Sequence, residues 1–313
     1  MTIPFVIAVA VLLGLLFFLF REVRRPPDGE SGRPQLWKKR IRIALAATLL
    51  CFAGLALWAI FIEPNRLIVR QQTIQIDGWP RELSGLRIAL IADIHTGAPF
   101  INDKKLKDVV DKTNALNPDL IVLLGDYMSP DSWHSHQVPP EVTAAGLKDL
   151  RAPLGVYCIL GNHDWWYNGE KVRHAFEQNR IAVLEDGVAE IKWHDKSIWL
   201  VGLADLWTRP QHISETVAQA PPGATVIALT HNPDIFPRLP QSVPLLLAAH
   251  THGGQVSLPI IGTPVVPSDF GQKYSAGHVI ENGHHLFVTT GIGTSILPLR
   301  FRVTPEIVIL TIK

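Results

Sequence analysis

Cysteine is nearly missing from this chain of 313 residues: Cys51 and Cys158 are the two, each in an apolar run and far from the other. They give no indication of redox compartment and read as small buried hydrophobes. Excess charge is missing too. A formal net charge of +1, with no basic stripe interleaved with aromatics and no nucleic-acid motif, argues against a nucleic-acid partner. No internal repeat is visible, and the Pro/Gly cluster PPDGESGRP (Pro26–Pro34) reads as a flexible turn. Hydrocarbon is plentiful: 47% of residues are hydrophobic, enough for one large core or two ordinary ones.

Within the first 62 residues two apolar stretches carry no charge, Ile3–Phe20 with 18 residues and Ile43–Ile62 with 20. Each is close to the roughly 20 residues that span a bilayer as a helix, so two transmembrane helices are expected. The first lacks the basic leader of a signal peptide. Between them, Arg21–Arg42 holds eight Lys/Arg against three Asp/Glu, a loop charge of +5 that leaves −4 for the rest. Short basic loops stay in the cytoplasm, which predicts an integral membrane protein whose N-terminus and everything beyond Ile62 lie on the other side. The expected organisation is a membrane hairpin over 1–64 and a folded domain over 65–313, with the lipid bilayer as a partner.

Beyond Asn65 short apolar runs alternate with helix-length polar stretches. Arg87–His95, Asp119–Asp126, Gly155–Asp164, Ser197–Asp205, Ala224–Asn232, the run from Leu245, His285–Gly293 and Glu306–Ile312 read as strands. Their Val/Ile/Leu content without alternation indicates cover on both faces. Helices are expected over Asn102–Asn117, capped by Asn102 and facing inward through Leu106, Val109, Val110 and Leu116, over Pro139–Leu150 and over Glu170–Asn179. The class is α/β, and open α/β sheets bind ligands at the carboxyl ends of their strands.

Those ends carry Asp93 and His95, then Asp126, then Asn162, His163 and Asp164, then His231, then His250 and His252. If the strand from Leu245 persists, His250 and His252 point the same way. Five successive strand ends bearing Asp, Asn or His would be costly to bury unless something charged binds there. Imidazole and carboxylate together suit Mn, Fe or Zn, and the number of donors exceeds the four of a single tetrahedral zinc. Two adjacent ions sharing a carboxylate fit better; such pairs clamp a phosphoryl group and activate water.

The ordered series DIH, GD, GNHD, a lone His before Asn-Pro, and HTHGGQ resembles the calcineurin-like metallophosphoesterases. Within that family it is similar to the membrane-anchored YkuE/YaeI-type branch, related to UDP-2,3-diacylglucosamine hydrolases. The resemblance runs from about Arg87 to the C-terminus and includes GIGTSILPLRF. It implies a four-layer αββα sandwich holding two divalent transition-metal ions: Asp93, His95 and His252 on one, Asn162, His231 and His250 on the other, Asp126 bridging. It implies that His163 contacts the scissile phosphate and assists the departing oxygen. The phosphatases of the family carry Asp where this chain has Ser129; Asp164 either takes over the support of His163 or caps a helix start. Arg300 either reaches a substrate phosphate or forms a surface ion pair. Trp165, Trp166 and Tyr167 either hold a base or acyl chain or simply pack. Gly253 and Gly254 let the backbone turn beside the metals. The expected function is metal-dependent hydrolysis of phosphodiester or pyrophosphate bonds, on lipid-linked or envelope substrates. The alternatives are a cytoplasm-facing UDP-2,3-diacylglucosamine pyrophosphatase and a non-catalytic metal-binding membrane receptor.

Overall fold

The computed structural model describes residues 14, 16–21, 24, 32–130, 132 and 134–313. The chain divides into two units, residues 1–62 and 63–313.

In the first unit, helix α1 (Gly32–Leu57) runs into a wider turn at Trp58–Ile62. Among the described residues one helix, Leu36–Asn65 with its closing turns, is long and apolar enough to cross a membrane. Trp37, Leu45, Leu49 and Phe52 lie on it without protein cover. The expected first span, 3–20, falls mostly outside the described residues, so one candidate span stands where two were expected. The helix also begins earlier than the charge-free run that predicted it. Lys38, Lys39, Arg40 and Arg42, read as loop, sit on its first turns, because Leu, Gln, Lys and Arg are good helix formers and Pro34 falls in the first turn, where proline is tolerated.

The second unit is built on two six-stranded sheets. One runs β1 (Ile68–Ile74), β12 (Glu306–Ile312), β2 (Arg87–Ile91), β3 (Leu120–Leu124), β4 (Val156–Ile159), β5 (Ala182–Val183). The other runs β10 (Gly277–Glu281), β11 (His284–Val288), β9 (Leu245–Ala248), β8 (Thr225–Leu229), β7 (Lys196–Gly202), β6 (Gly187–Trp193). Strands β2 to β5 are mutually parallel, as are β7, β8, β9 and β11; β12 is antiparallel to β2, and β6 and β10 are antiparallel edges.

Each interior strand feeds two cores, as its unbroken apolar sequence requires. Ile88, Leu90, Val122 and Leu124 meet Leu200, Ile227, Leu229 and Leu247 between the sheets. The alternate residues Ala89, Ile91, Ile121 and Leu123 face outward onto α2 (Asp103–Ala115), α3 (Pro140–Leu147) and α4 (Asn162–Gln178) through Leu106, Val109, Leu147 and Phe176. The outer face of the second sheet has thinner cover, the short helix α5 (Ile213–Val217) and the turn Pro233–Arg238, through Ile213, Val217 and Phe236. The Asn102 side chain caps α2 by accepting from the Lys105 N–H at 3.1 Å. Helix α4 starts eight residues before the expected Glu170, so Asn162 and His163 form its first turn. The parallel strands of both sheets thus release their ends at one edge, and the polar motifs gather there.

Candidate metal centre

Asp93 and His95 follow β2, Asp126 follows β3, Asn162 opens α4 after β4, His231 follows β8, and His250 and His252 follow β9. All seven are buried. The donor atoms of six of them fall into two groups, Asp93, His95, Asp126 and His252, and Asp126, His231 and His250, each within 4.8 Å; Asp126 belongs to both. Its Oδ1 accepts from the His163 backbone N–H at 2.9 Å, while Oδ2 lies 3.1 Å from His231 Nε2 and 3.7 Å from His95 Nε2.

The backbone reaches these positions at a cost. Asp93, His95, Asp126, His250 and His252 all have positive φ, between 49° and 71°, a region that residues with a Cβ rarely enter. The condition under which His250 and His252 would point the same way, a strand running through both, is not met. The strand stops at Ala248, and left-handed residues at 250 and 252 with the turn His252–Gly254 send the two imidazoles to different donor groups. Close glycines make the room: a Cβ on Gly291 would meet the Asp93 carboxylate, and one on Gly161 would meet Asp126 Oδ1 and His231.

Unmet bonding capacity converges here. Both carboxylate oxygens of Asp93, Asn162 Oδ1 and His250 Nε2 are buried with no hydrogen-bond partner, each costly unless a cation meets it. Asp93 Oδ1 stands 3.6 Å from His252 Nε2 and 4.0 Å from His231 Nε2, beyond hydrogen-bond length. Ring nitrogens also face one another, His95 Nε2 to His252 Nε2 at 3.2 Å and His250 Nδ1 to His231 Nε2 at 3.3 Å. The far nitrogens of His95 and His231 lie 2.9 Å from Met128 O and 2.7 Å from Leu124 O, so an Nδ1–H donated there leaves the Nε2 lone pair for an ion. Nitrogen, carboxylate and amide oxygen without thiolate suit divalent transition metals.

Without ions the protonation is uneven. Burial, helped by the charge of Asp126 and resisted by His231, raises Asp93 to about 7. Burial opposes ionisation of Asp126 as well, but the imidazoles of His231, His163 and His95 hold it well below the ordinary carboxylate range. His231 is pushed up to about 10: burial works against its charge, and Asp126 and Asp93 overcome it. Burial lowers His95 and His250 to about 3, leaving both neutral.

His163 sits at the mouth, its ring edge-on to His95 and to Trp166 at 4.8 Å each, with Nε2 3.3 Å from Ser295 Oγ. Asp164 is engaged by the backbone rather than by the His163 ring. Its carboxylate accepts from the backbone N–H groups of Gly161, Asp126, Tyr127 and Met128 at 2.8–3.0 Å, which fixes the turn carrying Asp126. Arg300 also departs from expectation. At 0% exposure it faces neither substrate nor solvent; its guanidinium donates to the carbonyls of Gly293, Thr290 and Val303 and lies 3.4 Å from His252 Nδ1.

Three neighbours escaped the sequence reading. Ser295 touches His163, and Gln255 orients it by accepting the Ser295 N–H at 2.6 Å while donating to Leu297 O at 3.0 Å. Trp207, half exposed, sets its ring edge-on to His250 at 4.3 Å and faces Trp166 at 6.3 Å. The Gln of HTHGGQ and the Ser of GIGTS stood inside the quoted motifs; Trp207, after β7, carried no signal.

Comparison with known proteins agrees with this geometry. The calcineurin-like phosphoesterase family model matches residues 86–254. The uncharacterized metallophosphoesterase YkuE of Bacillus subtilis is 32% identical over 86% of this chain and 94% of its own. Phosphodiesterase YaeI of Escherichia coli is 27% identical over 87% of this chain and 98% of its own. The UDP-2,3-diacylglucosamine pyrophosphatase LpxG of Chlamydia trachomatis is 27% identical over 64% of this chain and 74% of its own.

Proposed function

Because the chain belongs to the calcineurin-like phosphoesterase family, a phosphoric ester hydrolase family, we propose that it is a membrane-anchored, two-metal hydrolase of phosphodiester or pyrophosphate bonds. The observation that carries this reading is the single carboxylate, Asp126, shared by two buried donor groups whose remaining capacity is unmet. In this reading Asp93, His95 and His252 hold one divalent ion, Asn162, His231 and His250 the other, and Asp126 both; Mn, Fe and Zn all suit the donors. Bound there, the ions would supply positive charge to the phosphoryl oxygens and acidify the attacking water.

The remaining work falls to the chain. His163, anchored through its backbone to Asp126 and through Nε2 to Ser295, is positioned to touch the phosphoryl group and pass a proton to the leaving oxygen. Asp164 keeps the Asp126 turn rigid, and Arg300 braces the segment behind His252, so both are positioning residues. An extracytoplasmic position for the hydrolase domain is supported by the basic stretch Arg21–Arg42 that precedes the charge-free run Ile43–Ile62.

Replacing Asp126→Asn or His250→Ala abolishes turnover of an aryl phosphodiester supplied with Mn²⁺ while far-UV circular dichroism is preserved. Wild-type turnover in either variant would refute the mechanism. The similarity to the LpxG pyrophosphatase favours a second substrate reading, a nucleotide-linked glycolipid. A panel of phosphomonoester, aryl diester and UDP-linked lipid separates the two.

A further inference from the structure

The loops bordering the site are uncharged. No Asp, Glu, Lys or Arg occurs from Val256 to Ser268 or from Thr290 to Leu299. The first loop closes as a tight hairpin, with Leu258 and Gly262 exchanging backbone hydrogen bonds at 2.7 and 2.9 Å, which leaves Pro259, Ile260 and Ile261 at its tip. The second is laced to it at the base: Ser257 N–H donates to Phe301 O at 2.9 Å, and the Gln255 side chain bonds the backbone of Ser295 and Leu297. Through Ser295 the same pair of loops reaches His163.

Aliphatic side chains project from both loops into solvent. Ile260 is fully exposed, Ile296 79% and Val265 73%, and Ile261 and Leu297 are more than half exposed. Soluble surfaces seldom concentrate such residues without a binding role. The backbone adds an independent observation. Ile260 and Ile296, the two most exposed of these, have φ of 71° and 56°, where β-branched residues are genuine outliers. Glycine or asparagine would relieve the strain and spare water the hydrocarbon. An isoleucine that costs free energy on both counts has its compensation in a bound state.

We propose that these two loops form an apolar rim that seats the mouth of the site on the surface of a lipid bilayer, so that the phosphate ester is drawn from the membrane. The proposal rests on the phosphoesterase reading for its substrate and on the loops alone for its docking. A bilayer is the fitting occupant because the rim has no charge for a polar partner to read, and because the chain carries a helix able to cross one. Burying isoleucine side chains in hydrocarbon is favourable, and two tips are enough to bias docking of a tethered domain.

The test uses the full chain in nanodiscs of phosphatidylcholine mixed with phosphatidylglycerol, with Cys51→Ser to remove the exposed thiol. An environment-sensitive fluorophore is attached at Ile260→Cys or Ile296→Cys, and at Ile280→Cys on edge strand β10 as the exposed control. Blue-shifted emission quenched by acyl-chain nitroxide lipids is expected at 260 and 296 and not at 280. Water-like emission at both tips overturns the proposal, and so does a blue shift that lipid nitroxides leave unquenched, which would mean a protein occupant. Separately, Ile260→Asn with Ile296→Asn, which the left-handed backbone accommodates, lowers turnover of a bilayer-embedded diester roughly tenfold and spares a water-soluble aryl diester. Equal turnover of the embedded diester overturns the link to substrate. If the wild-type protein hydrolyses neither compound, the phosphoesterase reading has failed, and fluorophore depth still decides the docking.

Discussion

Arg300 shows how one residue changes meaning between sequence and structure. In LPLRF it looks like a phosphate ligand; in the fold its donors are spent on three buried carbonyls beneath His252. Removing it leaves those carbonyls unpaired and strips a positive charge from the surroundings of Asp93 and Glu306. Arg300→Met is therefore expected to cost on the order of 3 kcal/mol in urea unfolding. A substrate ligand would instead raise KM at unchanged stability. A second residue-scale expectation concerns protons. In the metal-free site Asp93 titrates at about 7 and His231 at about 10, so both are protonated below neutrality, whereas an ion needs both bare. Metal binding must then expel protons, and affinity must fall as pH drops from about 8 to about 6. Calorimetry in two buffers of different ionisation enthalpy reads the release directly; proton-neutral binding would contradict the assignment.

At the scale of elements, the strand ends depend on clearances that no side chain advertises. Gly161 has an ordinary φ of −104°, so its conformation alone would tolerate alanine, but a Cβ there enters the space of Asp126 and His231. Gly161→Ala is expected to weaken metal binding at least tenfold, by about 1.4 kcal/mol or more, with the sheets intact. Metal titration beside circular dichroism checks it, and undiminished affinity would remove the clearance argument. The same scale shows what the sequence reveals and conceals. Strands β2, β3, β4, β7, β8, β9, β11 and β12 are interior to their sheets, buried on both faces, and announce themselves as continuous Val/Ile/Leu runs. Strands β1, β5, β6 and β10 escape notice, and each is an edge. IVRQQTI, GVAEIKW and GHVIE mix polar and apolar residues because one side of an edge strand faces water, and β5 is only two residues long. The donor set was legible because ligand chemistry restricts residue type. The left-handed turns that aim it were not, since Asp and His carry no sign of an unusual φ.

At the scale of the whole molecule, the proposed membrane anchor could set the phosphoesterase domain on either side of a bilayer, and two physical arguments oppose each other. A nucleotide-linked glycolipid, the second substrate reading proposed above, would be made on the cytoplasmic side, where nucleotides are held. The charge distribution points the other way: eight cationic residues lie from Arg21 to Arg42, against three anionic ones, immediately before the charge-free run Ile43–Ile62. Each cation costs about 2.5–3.5 kcal/mol at the centre of a bilayer, so carrying this cluster across is far less favourable than leaving it where it is made. That the basic residues from Lys38 to Arg42 are helical does not weaken the argument, because the rule counts charge near the membrane boundary and is indifferent to backbone conformation. A reporter fused after Lys313 should therefore be active if it requires export, as alkaline phosphatase does, and dark if it must fold in the cytoplasm. Reversing the loop charge by Lys38→Glu, Lys39→Glu and Arg40→Glu should exchange the two signals. A fusion that reports only from the cytoplasm, unchanged by that reversal, would place the site with the nucleotide-linked lipids and make the pyrophosphatase reading the stronger one.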